Sequence, residues 1–249
     1  DRLHRNLSDT MAELETALNE TLSRRRGNVI VPAFAVGRTQ DLLYLLSDLY
    51  RQKRLPPLYI YVDSPMALKA TEITLKHAEL LDAETRAMFD WLRMNRERPQ
   101  INFIHDVDES LALANIKSGA VIISASGMCT GGRIKHHLAN NLGRKECAVI
   151  FTGFQANGTL GRRIVDGAKS VRIFGEEIPV RASVHTIGGL SAHADQAELL
   201  GWLRRFRRPP RQTFVVHGET RASSALRDAI DRELKWQATV AAAHATVEV

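Results

Sequence analysis

Apolar residues in the opening segment recur at Leu7, Met11, Leu14, Leu18 and Leu22, with polar and charged residues between them. That spacing is the period of one helix face, and it predicts an amphipathic helix with Ser8 or Asp9 available as its N-cap. Leu3 and Leu7 already stand at helical spacing. After Gly27 the pattern becomes a short unbroken apolar run, NVIVPAF, as expected of a strand buried on both faces. The same alternation then repeats. TQDLLYLLSDLY reads as helix, LYIYVDS as strand, SPMALKATEITLKHAELL and FDWLRMNRE as helices, INFIHD as strand and LALANI as a short helix. AVIISAS and CAVIFTG read as strands, with the helix RIKHHLANNL between them and the short helix RRIVDGA after them. Strands that alternate with helices at this spacing predict βαβ units, hence a mostly parallel, Rossmann-like sheet with helices on both faces.

Near residue 170 the rhythm changes. VRIFGEEIPVRASVHTI reads as a hairpin turning at Gly175. From Gly188 the tail offers a helix (AELLGWLRRF), a strand (TFVVHG), a helix (ASSALRDAIDRELK) and a last strand within ATVAAAHATVEV.

Composition narrows the class. At 249 residues, with 44% hydrophobic and 25% charged residues, the chain fits one large soluble α/β domain or two modest ones. It has neither a membrane-length apolar run nor a signal-like start, so a cytoplasmic protein with no membrane partner is expected. Cys129 and Cys147 lack CxxC spacing and are expected to be buried reduced thiols. The net charge of +6 suits a polyanionic partner. The run RRFRRPPR at 204–211 is read as a solvated face.

Three connections share one design: a strand ends, glycines and hydroxyls come next, and an arginine opens the next helix. They are VPAFAVGRTQ with Arg38, SASGMCTGGRIKHH with Ser124, Ser126, Gly127 and Arg133, and TGFQANGTLGRR with Gly158, Thr159 and Arg162. In a parallel sheet such loops gather at the carboxyl edge, where ligands bind. Glycine lets backbone approach an anion, helix-start N–H groups attract it, and arginine adds a forked donor. Tight turns and solvated helix starts would explain each loop taken singly; the three together point to an oxyanion or phosphate surface. No loop matches a dinucleotide or Walker fingerprint.

Of the nine histidines, His77 and His137 fall on predicted helix surfaces, and His136 is expected to face the core side. His217 ends the strand TFVVHG, and His193 precedes the helix leading to that strand. Spacing alone leaves metal or acid–base chemistry at this pair open, and Asp195 with Glu198 has the spacing of a capping box.

VPAFAVGRTQDLLYLL, VDSPMA, SASGMCTGGRIKHHL, FTGFQANGTLGRRI, LSAHAD and VVHGE, in this order, resemble the β-CASP branch of the metallo-β-lactamase superfamily, which includes RNA-processing nucleases. The resemblance implies a metal-dependent phosphodiester hydrolase with two zinc ions. It also implies a β-CASP domain over residues 1–187, and the C-terminal segment of an αββα metallo-β-lactamase domain over 188–249. His217 would ligate zinc. His193 would sit beside the metals and protonate the leaving oxygen, and the glycine loops would border an RNA cleft. Arg133 and Arg162 would neutralise backbone phosphates. Aromatics make up only 6% of the chain, so backbone contact is expected to outweigh base stacking.

The chain departs from the family in one respect: it lacks the central HxHxDH ligand motif. DRLH resembles the residues just after the family's acidic motif A, so most of the catalytic domain is expected to precede residue 1. On that expectation this chain alone holds little or no zinc and is inactive, and uncovered apolar surface around Phe214–Val216 and Leu199–Leu203 favours self-association into a homo-oligomer. The rival reading is a non-catalytic RNA-binding or scaffold member of the same fold.

Overall fold

The computed structural model describes residues 6–191 and 193–246. Helix α1 (Leu7–Asn19) runs on into a π-helical turn, Glu20–Arg24. Its cap is Asn6 rather than Ser8 or Asp9: Asn6 Oδ1 accepts from the Asp9 amide at 2.7 Å. Strand β1 (Val29–Pro32) leads to α2 (Arg38–Arg51), and β2 (Tyr59–Asp63) leads to α3 (Pro65–Lys76) and α4 (Ala83–Met94). Strand β3 (Gln100–Phe103) precedes α5 (Val107–Ala112), β4 (Ala120–Ser124) precedes α6 (Ile134–Asn141), and β5 (Ala148–Phe151) precedes α7 (Leu160–Val165). Strands β6 (Ser170–Ile173), β7 (Glu176–Pro179) and β8 (Ser183–Thr186) come next.

Six of these strands form one sheet in the order β3-β2-β4-β1-β5-β8, and every pairing in it is parallel. Every residue of β1, β4 and β5 is buried, as expected for strands covered on both faces. Alternate side chains serve opposite faces. Val29, Val31, Val121 and Ile123 pack with Leu14 and Leu18 of α1 and Leu42 and Leu46 of α2. Ile30 and Ile122 turn the other way, to Ile134 and Leu138 of α6 and Ile164 of α7.

This two-sidedness creates a switch point. The chain leaves β1 through α2 on the first face, toward β2. It leaves β4 through α6 on the second face, past β1 to β5. Because β1 and β4 are neighbours, their outgoing loops part over a single crevice at the carboxyl edge.

Two further sequence expectations change. Only 170–179 is a hairpin, with β6 and β7 antiparallel. The remainder, β8, pairs in parallel with β5 as an edge strand, placing Ser183 opposite Ala148 and Thr186 opposite Phe151. The histidines of α6 also exchange roles. His137 is buried, together with Ile134, Leu138 and Asn141, while His136 is exposed and lies against Phe174 with ring centroids 4.5 Å apart. Residues 134, 137, 138 and 141 form one helical stripe, and position 136 sits about 100° away from 137 around the axis.

The chain divides into two compact units, one spanning Asn6–Leu190 and one that includes the segment from Ser191 onward. In the second, α8 (Gln196–Leu203) precedes β9 (Thr213–Val215), α9 (Thr220–Leu234) and β10 (Ala238–Val240). Strands β9 and β10 pair in parallel across the α9 crossover. Leu200, Val215, Ala229, Ile230 and Ala238 form this unit's own small core. The Asp195–Glu198 capping box is present, with both reciprocal hydrogen bonds at 2.9 Å. Leu3, Ala192 within LSAHAD, and residues 247–249 of the last predicted strand lie outside the described residues. No described helix is long and apolar enough to cross a membrane.

Candidate functional site

The three glycine loops all leave carboxyl ends of sheet strands, so the fold brings Arg38, Arg133 and Arg162 to one edge of the first unit. Arg38 opens α2 after Gly37, whose φ of +80° is a conformation that favours glycine. Its guanidinium pairs with Asp41 at 3.1 Å. Arg162 pairs with Asp166 at 2.8 Å. Thr159 caps α7, accepting from the Arg162 amide and donating to the Ala156 carbonyl. Gly158, at φ +82°, supplies the left-handed turn before it. Each of these arginines has an aspartate partner that orients it and offsets its charge.

The β4–α6 loop lies over the switch point. Ser124 ends β4 fully buried, and its hydroxyl donates to the Asp63 carbonyl at 2.8 Å. That hydroxyl therefore ties β4 to β2 rather than facing solvent. Ser126 bonds within its own loop, to the Gly131 carbonyl and amide. Gly127 is buried under the Phe34 ring, where an added Cβ would come within 3.0 Å of Phe34 Cδ2. Gln155 Nε2 donates to the Gly127 carbonyl at 3.0 Å and the Gly161 amide donates to the Met128 carbonyl at 3.2 Å, so the β4 and β5 loops are tied together. Phe34, Val36 and Phe154 stand exposed on the β1 and β5 loops of this edge, and Met66 in the first turn of α3. Two aromatic faces therefore accompany the arginines here, a feature the low aromatic content does not convey.

Beneath the edge lies a cluster that sequence reasoning does not single out. The Asp63 carboxylate is completely buried. Its Oδ1 accepts from Arg133 Nη1 at 2.8 Å, and its Oδ2 accepts from His137 Nε2 and from Ser110 Oγ, each at 2.6 Å. Burial pushes this carboxyl up, but the hydrogen bonds from His137, Ser110 and Arg133 together outweigh it and hold the group below the ordinary aspartate value. Two signals for it were present in the sequence. Asp63 is the last residue of a strand ending at the ligand edge, and His137 falls in the apolar stripe of α6.

In the second unit, His193 and His217 are both exposed. The His193 amide donates to Ser191 Oγ at 3.2 Å. His217 lies two residues beyond β9 with φ +59°, so the chain turns sharply as it leaves the strand. Their imidazoles have suitable donor chemistry for zinc, but a zinc site needs at least three protein ligands. Among the described residues no group of three or more His, Cys, Asp or Glu side chains is placed to hold a metal ion. The arginines of 204–208 are exposed, with Arg204 paired to Glu233.

Family comparison agrees with this architecture. A Beta-Casp domain model matches residues 39–164, and a model described as a Zn-dependent metallo-hydrolase RNA specificity domain matches residues 177–241. The chain is 40% identical over 227 residues to Ribonuclease TTHA0252 of Thermus thermophilus, covering 91% of this chain and 51% of that protein. It is 33% identical over 223 residues to an RNase J-like protein of Methanocaldococcus jannaschii, covering 90% and 50%. To Transcription termination factor FttA of the same organism it is 31% identical over 246 residues, covering 93% and 38%. The chain thus spans about half, or less, of the length of these curated relatives. With one family model over strands β2 to β5 of the parallel sheet and the other over the segment that carries both histidines, the chain belongs to the β-CASP branch of the metallo-β-lactamase superfamily.

Proposed function

We propose that this chain is part of a zinc-dependent RNA-processing nuclease. In this reading its 1–187 portion is the β-CASP domain, which holds the RNA backbone, and 188–249 belongs to the metallo-β-lactamase domain. The observation that carries the reading is the gathering of Arg38 and Arg133 at helix starts, Arg162 in the first turn of α7, glycine loops and exposed Phe34 and Phe154 at the carboxyl edge of a switch-point sheet. Arginine forks recognise phosphate, and aromatic faces accept bases without regard to sequence. Gly158, Thr159 and Ser126 shape the turns that bring backbone N–H groups to that edge, while Ser124 and Gly127 support it from within.

His217 would serve as a ligand to one of two zinc ions, the remaining ligands lying outside the described residues. The metals would supply a water acidified toward neutrality and electrostatic support for a phosphorane-like transition state. His193 would hold a proton for the departing ribose oxygen, a role that its exposed imidazole suits. The name of the relative at 40% identity favours a ribonuclease over a scaffold, as does the retention of both histidines.

The test uses the protein that carries this chain and a labelled single-stranded RNA. Cleavage should require zinc, stop on chelation, and fall at least ~100-fold in His193→Ala and His217→Ala. Cleavage that survives both substitutions would remove these residues from the site.

A further inference from the structure

Arg133 differs from its two neighbours at the edge. Arg38 and Arg162 pair with exposed aspartates three and four residues along the chain, Asp41 within α2 and Asp166 at the end of α7. Arg133 instead reaches down to a carboxylate with no solvent exposure, seventy residues earlier in the chain. A buried anion with one cationic partner and two further donors is held in place by four elements: β2 through Asp63, α5 through Ser110, the β4–α6 loop through Arg133, and α6 through His137. The backbone carbonyl of Asp63 is fixed as well, by Ser124. Among the described residues only Nη1 of the Arg133 guanidinium is engaged. Its side chain remains about one-fifth exposed, so the rest of the fork is not enclosed. Serine, aspartate and histidine together do not make a nucleophilic triad here. The aspartate is central and both other groups donate to it, so the His137 imidazole faces the carboxylate and is not placed as the base of the Ser110 hydroxyl.

We propose that Asp63, held by His137 and Ser110, is a positioning residue that aims the free side of the Arg133 guanidinium at a phosphate of bound RNA. This rests on the reading of the sheet edge as the RNA-backbone face. Burying a charge is costly unless it is fully bonded, and a fully bonded one is rigid. A rigid carboxylate fixes the guanidinium plane, so a phosphate meets two parallel N–H donors already aligned rather than a mobile side chain.

Charge and position make opposite predictions, and this makes the proposal testable. If Arg133 acted through its charge alone, Asp63 would weaken RNA binding by partly cancelling it, and Asp63→Asn would tighten binding. If Asp63 positions the fork, Asp63→Asn weakens binding even though it raises the net charge by one.

The assay is anisotropy of a labelled oligouridine with the full chain, across a salt series. Arg133→Ala should weaken binding about tenfold or more and reduce the salt slope by about one. Asp63→Asn should weaken binding in the same direction. Ser110→Ala changes no charge and removes a half-buried hydroxyl, so it serves where Asp63→Asn does not fold. It should weaken binding about two- to fivefold in the wild-type background and not at all on top of Arg133→Ala. Tighter or unchanged binding in Asp63→Asn, or an unaltered Ser110→Ala, overturns the positioning role. An unaltered Arg133→Ala overturns it too while leaving the nuclease reading standing, whereas a wild-type chain that binds no oligouridine removes the RNA face itself.

Discussion

Asp63→Asn is the substitution whose consequence for stability is most directly set by the structure. The carboxylate is fully buried and accepts three hydrogen bonds, at 2.8, 2.6 and 2.6 Å. Asparagine has the same shape but offers one oxygen and one NH2. Whichever way the amide turns, its NH2 faces either the Arg133 donor or the His137 and Ser110 donors. Facing Arg133 it makes a donor–donor contact; facing His137 and Ser110 it requires the imidazole to change tautomer and the hydroxyl to become an acceptor, and either way a charge-assisted bond is lost. Removing one partner of a buried ion pair costs about 3–5 kcal/mol. Arg133 can regain water because its side chain is partly exposed, so the low end applies, near 3 kcal/mol. That corresponds to more than ~100-fold in the folded-to-unfolded ratio, out of a total stability of ~5–15 kcal/mol. Urea unfolding at neutral pH, followed by circular dichroism, measures it.

The acid limb gives a second reading of the same group. Because the folded pKa of Asp63 is depressed, its stabilisation is fully present above the unfolded aspartate value. It is lost as pH falls through the folded value, below about pH 4. The wild-type chain should therefore lose stability there more steeply than Asp63→Asn. A variant within ~0.5 kcal/mol of wild type at neutral pH, with an unchanged acid limb, would show that the network contributes nothing and refute the argument.

Gly27→Ala should prevent stable folding, because its Cβ would lie 1.9 Å from the Glu146 carbonyl oxygen and 2.8 Å from the Cys147 amide, both backbone atoms; a soluble variant with a wild-type melting curve would contradict this. Burial pushes the Cys129 thiol up to about 12, so iodoacetamide at neutral pH should leave it unlabelled in the native chain and label it after unfolding. Zinc titrated into this chain alone, followed by calorimetry, should show no tight stoichiometric site, since the described residues offer no set of three ligands; two tightly bound equivalents would contradict that. Light scattering should show concentration-dependent association through the second unit, where Trp202, Phe214 and Val216 are exposed, and Val216→Asp should reduce it.

Much of this architecture was legible from local pattern. NVIVPAF, AVIISAS and CAVIFTG are unbroken apolar runs, and they became the three central strands because only a strand covered on both faces needs such a run. The helix starts at Arg38 and Arg133 and the capping box at Asp195 were equally readable, since glycine and aspartate act on backbone a few residues away, whereas α7 begins two residues before Arg162, at Leu160 after its Thr159 cap. Short range also set the limits of the reading. The segment containing Ser183–Thr186 looked like the return arm of a hairpin, because nothing within it reveals that β5 has an open edge. His136 and His137 differ by one position and hence by about a quarter-turn of the helix, and which one meets the core depends on where the sheet lies. Asp63, Ser110, Arg133 and His137 are dispersed over seventy-four residues, and no spacing rule joins them. Sequence by itself determined the strands, helices and turns, because periodicity, caps and glycine conformations are short-range properties of the chain. Tertiary structure alone decided the order of strands, the crevice between β1 and β4 and the buried carboxylate beneath Arg133, because each depends on which distant segments exclude water from one another.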